Sequence, residues 1–498
     1  MTARLDYWRG LALLAIAALF AAQIAIRFAS DLNHDTAWYL YVATGLLDGK
    51  ELYRDFVEVN LPLAMWLTVP VSWAARLLGL DAVPVLYAAF LLLTGLALLA
   101  AWRYAGLIPQ LAGGGRLALL VAAAAVLLFA PGGDFGQREQ LIVLAILPWL
   151  LLRAAGAEGA RAGFWERAAV GVVAGAGICV KPHGVLAPLA VELALRLRGR
   201  DWRPLFAAEN LAAAGVAAIY VAAVLVFAPA YFTAMVELGV KAYMPFYGGD
   251  AGFIAVGSLP GIAALVIAAT MIGLADGGGN RDLPLAMLAA ALGFLASYFV
   301  QNKGYSYQLL PAQTFAALAA AAAFAVIVPA GRLPFARRLL ATVMAGIALA
   351  ISYRPQTYVS QGAGFELLID KYRPQARSIF IATTNVYGGF PLVTRRGFVW
   401  ASRFPAQWLA PYVGSKWQDG PLPGDAIVAY ALEAAVGDLA QFRPDIVMVD
   451  VSRQQTYVPG AYFDYVKFWS NDPRFAAVWK DYELRGRQDG YEIYTLKD

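Results

Sequence analysis

The sequence is almost without cysteine and histidine, and it is poor in charge. Its single cysteine, Cys179, sits inside an apolar run, so disulfides and zinc sites built on cysteine pairs are excluded and Cys179 reads as a small buried hydrophobe. The two histidines, His34 and His183, lack the i, i+4 spacing of a helical metal site. No glycine-rich loop follows a strand-like run, which removes the usual soluble nucleotide site. Charged residues make up 15% of the 498 and hydrophobic ones 60%, and the mean hydropathy is +0.59. That is not the composition of an ordinary soluble domain.

What is abundant is apolar sequence in runs. Stretches of about twenty apolar residues, each long enough to cross a bilayer, recur from the N-terminus to about residue 353. Beyond Arg354-Pro355 the chain carries Lys, Arg, Asp, Glu, Asn and Gln at ordinary density. Two domains are therefore expected: a polytopic α-helical membrane domain over 1–353, with a long first external loop at about 30–82, and a C-terminal domain over 354–498. The pI near 9.1 does not argue for a nucleic-acid partner, because the basic residues lie in short loops between apolar runs.

About eleven crossings are expected, at 9–29, 83–103, 116–131, 139–155, 168–181, 184–199, 206–228, 252–275, 283–301, 307–329 and 337–353. The first follows Arg4 and Arg9 and ends in no A-x-A site, so it reads as an uncleaved helix with its N-terminus inside. The count then puts most loop arginines, among them Arg103, Arg153, Arg161, Arg198 and Arg332, on the cytoplasmic side and the C-terminal domain outside. Counting Leu61 to Leu80 as a crossing would invert that bias. Pro62, Pro70 and Arg76 also interrupt it, so it reads as a helix lying in the outer interface.

The polar residues then gather on the outer side. The first external loop holds His34 and Asp35, with Glu58 and Asn60 further on. Thr36 to Leu47 reads as a short helix that Asp35 is placed to cap and Gly49 ends. Asp35 is equally a carboxylate able to take a proton from a sugar hydroxyl. Glu139 reads either as half of a neutralised pair with Arg138 or as an active-site acid facing Asp35. Lys181-Pro182-His183-Gly184 forms a tight outer turn, and Gln301 to Gln308, with Lys303, Tyr305 and Tyr307, forms a polar aromatic hairpin. Outer cations run against the topological bias. Arg138, Lys181 and Lys303 are thus either headgroup anchors or ligands for a lipid-linked phosphate. Tyr231 to Asp250 reads as a lid or a plain connector.

The terminal domain reads as α/β, with strands at Ser378 to Ala382, Ile446 to Asp450 and Tyr491 to Leu496, and a helix near Ala426 to Phe442. Tyr457, Tyr462, Tyr465, Phe468 and Trp469 read as its core, with a glycan contact as the other reading.

Taken together, the external Asp35-Thr36-Ala37-Trp38-Tyr39, the element Gly49-Lys50-Glu51-Leu52-Tyr53, the turn Asn60-Leu61-Pro62 and the later acid Glu139 resemble the GT-C superfamily of membrane glycosyltransferases. The resemblance is to its bacterial protein-mannosyltransferase-like and aminoarabinose-transferase-like branch, and it covers roughly residues 1–353. Thr36 follows Asp35 where that family often has an Asp-Glu pair, and Glu139 stands where many members have Asp.

The resemblance implies an inverting glycosyltransferase of the bacterial inner membrane with a periplasmic active site and C-terminal domain. Its donor would be a polyprenyl-phosphate-linked sugar and its acceptor a lipid, glycan or protein. Asp35 would be the base, Glu139 the second acid, and Arg138, Lys181 and Lys303 the donor-phosphate ligands. No cofactor is expected with certainty, and a divalent cation is left open. The other reading is a transporter or lipid-linked-glycan flippase, although no inverted repeat is visible.

Overall fold

The computed structural model describes residues 2–111, 114–157, 159–160, 162–274, 281–327, 343, 354–360, 362–460 and 462–497. These are mostly helical, with a small C-terminal sheet. The helices before residue 330 are α1 (Thr2–Phe28), α2 (His34–Leu47), α3 (Leu63–Leu78), α4 (Ala82–Ala105), α5 (Gly114–Phe129), α6 (Arg138–Ala157) and α7 (Phe164–Val180). They continue with α8 (Leu186–Gly199), α9 (Ala208–Phe227), α10 (Val236–Leu238), α11 (Ala251–Leu274), α12 (Asp282–Gln301) and α13 (Leu310–Ile327).

Among the described residues, seven helical runs are long and apolar enough to cross a membrane: those of α1, α4, α6, α9, α11 and α12, and Ser306–Ala325, which holds most of α13. Three further expected crossings are shorter helices, α5 with 16 residues, α7 with 17 and α8 with 14. The crossing expected at 337–353 lies outside the described residues apart from Val343.

The helix surfaces suit lipid. Leu14, Phe28, Leu99, Ile219, Phe227 and Val256 are each more than half exposed. Such bands are costly in water and at home in hydrocarbon. Burial is graded: 17% of the apolar window is buried in α1 and 11% in α9, against 83% in α6 and 89% in Ser306–Ala325. The chain is a multi-pass membrane protein.

Residues Met1–Ser30, Pro84–Ala222 and Gly249–Tyr358 make one compact unit. Its helices approach closely at small residues. A Cβ on Gly293 of α12 would lie 2.5 Å from the Ala187 Cα of α8, and one on Gly175 of α7 would lie 2.7 Å from the Ala213 carbonyl of α9. Close backbone approach is what draws helices together in lipid, where burying apolar surface gains nothing. Between α6, α7, α8 and α9, Arg153 donates to Glu192 at 2.5 Å and to Glu209 at 2.6 Å, and Arg167 donates to Glu209 at 2.8 Å. Buried charges persist only when matched in this way.

Residues Asp31–Val83, Ala223–Gly248 and Val359–Asp498 make the second unit. Its sheet has strands β1 (Ser378–Ala382), β2 (Val399–Trp400), β3 (Ile446–Asp450), β4 (Tyr482–Gln488) and β5 (Tyr491–Leu496) in the order β2-β1-β3-β5-β4. β2, β1 and β3 run parallel, and β5 runs antiparallel to both β3 and β4. β1 and β3 are almost wholly buried, as parallel strands covered on both faces are, which is why they read as unbroken apolar runs.

Helix α2 lies against this domain. The Tyr41 hydroxyl accepts the Trp400 N–H at 3.1 Å, Thr394 donates to the Ala37 carbonyl at 3.2 Å, and Trp38 packs edge-on to Phe390 with centroids 5.2 Å apart. The stretch read as lid or connector carries two π-helical turns, Tyr231–Met235 and Gly239–Tyr243, on either side of α10. Tyr247 pins it: its ring stacks on Tyr243 at 4.5 Å and meets Tyr457 at 4.3 Å, and its hydroxyl donates to the Thr384 carbonyl at 3.4 Å.

Candidate functional site

In the second unit, α2 begins at His34, two residues before the expected Thr36. Its cap is Asn33, whose side chain accepts the Asp35 N–H at 2.9 Å. This corrects the capping role expected of Asp35. Asn and Asp cap about equally well, so the sequence offers two caps and the fold takes the earlier one. Asp35 becomes an acid in the first helical turn, where the helix dipole favours its charge. Its carboxylate lies 3.6 Å from His34 Nε2, with the two side chains 20% and 27% exposed. A reachable carboxylate that accepts no backbone N–H among the described residues meets the first requirement of a general base.

Glu58 and Asn60 form a separate knot. The buried Glu58 carboxylate accepts Trp38 Nε1 at 2.8 Å, the Asn60 amide N–H at 2.9 Å and the Asn60 side-chain nitrogen at 2.6 Å. Tyr53 donates to the Asn60 carbonyl at 2.8 Å. Three donors offset the desolvation of one carboxylate and tie the loop to α2, which makes Glu58 a support for the loop around Asp35. Burial first, and then the Glu58 charge, push the Tyr231 hydroxyl up.

In the helical unit, Glu139 pairs with Lys181, whose ammonium also donates to Gln301 Oε1 at 2.9 Å. This corrects the expected pairing of Glu139 with Arg138. Successive helical residues diverge by about 100°, whereas Lys181 reaches in from the turn after α7. The second Glu139 oxygen, Oε2, is buried and accepts no hydrogen bond among the described residues. Arg138, Glu139 and Lys181 are 8%, 2% and 7% exposed, so three charged groups sit together largely out of solvent.

His183 lies in the 3-10 turn Pro182–Val185, the tight outer turn expected there. Burial pushes its imidazole down to about 4, and the charges of Lys181, Arg138 and Lys303 add to the effect while Gln301 opposes it. His183 is thus uncharged at neutral pH, and cations from the start of α6 and from two connections lie within its electrostatic reach. The Lys181 ammonium stands 5.6 Å from the centre of the Tyr307 ring, on which Tyr305 stacks at 5.7 Å. The residues brought together in this unit are Arg138, Glu139, Lys181, His183, Lys303 and Tyr307.

Sequence reasoning missed two members. Gln301 reads only as part of a polar hairpin, yet it shares Lys181 with Glu139. Arg354, which reads as a domain boundary, donates to Asp134 at 3.3 Å, to Gln313 at 2.9 Å and to the Ser306 carbonyl at 2.6 Å, so it clamps the connection before α6. The available signal was a polar side chain at the end of an apolar run. Among the described residues no group of three or more His, Cys, Asp or Glu is gathered as metal ligands would be.

No family model matches the chain, and no curated protein matches it. Among solved structures it is similar to the arabinofuranosyltransferase AftD from mycobacteria, at 14% identity and a TM-score of 0.45 over 97% of this chain and 40% of that one. A structure of a variant of the same enzyme matches with the same identity and TM-score over 97% and 41%. The chain spans about two fifths of the length of these proteins.

Proposed function

We propose that the protein is an inverting glycosyltransferase that moves a sugar from a polyprenyl-phosphate donor to an acceptor hydroxyl on the periplasmic face of the bacterial inner membrane. The observation that carries the reading is the convergence of Arg138, Lys181 and Lys303 around the neutral His183 at one end of an apolar helical unit. An ionisable cluster in such a place is a functional site by default. Its net cationic character suits a lipid phosphate, which charge-assisted hydrogen bonds would hold.

Asp35 takes the proton of the acceptor hydroxyl, whose oxygen attacks the anomeric carbon. The bond from that carbon to the phosphate oxygen breaks with inversion, and the polyprenyl phosphate leaves with the electron pair. The cations stabilise the charge that builds on the leaving phosphate, the kind of assistance that is usually the largest single contribution to catalysis. Lys181 arrives already paired with Glu139, so the donor phosphate competes with a carboxylate for it.

The test is transfer by the purified full chain in nanodiscs, with synthetic polyprenyl-phosphate mannose, arabinofuranose and aminoarabinose as donors and a cell-envelope lipid extract as acceptor. Release of polyprenyl phosphate with a glycosylated product is expected from one donor. No release from any of them overturns the reading.

A further inference from the structure

We infer that the crevice at the carboxyl ends of β1 and β3 binds a neutral glycan chain, with Asp450 at its floor and tyrosines around it. β1 leads to β2 on one side of the sheet, whereas β3 leads on to β4 and β5 on the other. Adjacent parallel strands whose connections leave in opposite directions open a crevice outside their carboxyl ends, the usual ligand position in open α/β sheets.

The groups there are unmatched in a way that hydroxyls would match. Asp450 ends β3 and is 5% exposed. Its Oδ1 accepts the Ser452 N–H at 3.0 Å and the Ser452 hydroxyl at 2.5 Å, while Oδ2 has no hydrogen bond among the described residues. The Tyr465 hydroxyl, on a side chain 2% exposed, also lacks a partner among them. Leaving the buried Tyr465 hydroxyl unmade is costly, and a ligand hydroxyl can serve it and the open Asp450 Oδ2 as both donor and acceptor.

The Asp450 charge hinders ionisation of Tyr387, Tyr462, Tyr465 and Tyr491, which places all four within its electrostatic reach. Tyr462 is 44% exposed, so its ring is open to a ligand. The floor is held in place, because Gln455 donates to the Asp450 carbonyl at 2.7 Å and Thr384 donates to the Thr456 carbonyl at 2.7 Å. A carboxylate floor repels phosphate and sulfate, and among the described residues no group of three or more His, Cys, Asp or Glu gathers as cation ligands would. An uncharged, hydroxyl-rich chain is the class that remains.

The inference rests on the glycosyltransferase reading only in taking that chain to be the acceptor. Binding is therefore measured without donor, so that a failure of transfer leaves the result intact. The full chain in nanodiscs is titrated calorimetrically with maltohexaose, α-1,6-mannohexaose and α-1,5-arabinohexaose. At least one should bind saturably, and Asp450→Asn, which keeps shape, should weaken it by about tenfold or more, the loss expected when a hydrogen bond to a charged group goes. Tyr462→Ala, at an exposed position that does not threaten folding, should weaken the same ligand. Weakening in either stable variant supports the site. The proposal is overturned when none of the three oligosaccharides binds the wild-type protein, or when binding survives unchanged in both variants.

Discussion

Asn33 accepts the backbone N–H of Asp35 at 2.9 Å, so the cap of α2 and the carboxylate beside His34 belong to different residues. The two roles can therefore be removed separately. Asn33→Ala should lower stability by about 1 kcal/mol, the usual cost of a lost N-cap, and leave the turnover of folded protein nearly unchanged. Asp35→Asn should keep the melting temperature and lower transfer by about a hundred- to ten-thousand-fold, the contribution typical of a general base. Thermal unfolding and transfer measured on both variants decide the matter. A stable Asp35→Asn protein with near wild-type turnover would remove Asp35 from the mechanism and leave Glu139 next in line.

Glu139 and Lys181 should behave as one group. Removing a single partner from a buried pair costs about 3–5 kcal/mol, because the charge left behind is uncompensated. Glu139→Gln and Lys181→Met are each expected to destabilise strongly, and the double variant by clearly less than the sum. Unfolding in detergent for the four members of the cycle gives the coupling, and strict additivity would show that the pair does not act as a unit. Lys303→Ala leaves this pair untouched and should weaken donor binding without a comparable loss of stability.

Acid should reveal His183. Its folded-state pKa is about 4, below the ordinary value of 6.5, so between those limits the unfolded chain takes up a proton that the folded chain refuses. Stability from this residue is complete above about pH 6.5 and is lost as the pH falls toward 4, where the loss levels off. His183→Gln should flatten that part of the melting-temperature profile. A wild-type and a variant profile that run parallel from pH 7 to pH 4 would contradict the assignment.

Orientation can be read with a single thiol. Cys179 is 4% exposed, so its replacement by Ala should be silent and should leave the protein without a background label. Gln418→Cys, on the exposed surface of the C-terminal domain, should then react with an impermeant maleimide in intact cells. Labelling only after lysis would reverse the topology.

The sequence carried the secondary structure better than the site. β1, β3, β5 and the helix Ala426–Phe442 lie where the sequence pattern put them, β1 and β3 most plainly, because strands buried on both faces leave an unbroken apolar run. The apolar helices were equally plain, although α7 and α8 are short because Lys181-Pro182 breaks one long run into two. Asn33 and Asp35 show where such reading stops: two residues of equal capping power stand two positions apart, and tertiary packing chooses between them. Gln301 and Arg354 were invisible for another reason. Each acts through partners far along the chain, Lys181 for one and Asp134 for the other, and no local pattern encodes such a pairing.

The two wide turns around Val236–Leu238 give the segment that carries Tyr247 an angular setting. A π turn closes its hydrogen bonds over five residues instead of four, as though one residue had been slipped into an α-helix. Each such residue rotates everything after it by about 100°. Chain length here works like the phase of a screw: two added residues together set the bearing at which Tyr247 meets Tyr457. Deleting one residue from either turn would keep the composition almost unchanged and swing that tyrosine away from its mate, so at this point the fold depends on a count of residues more than on their kind.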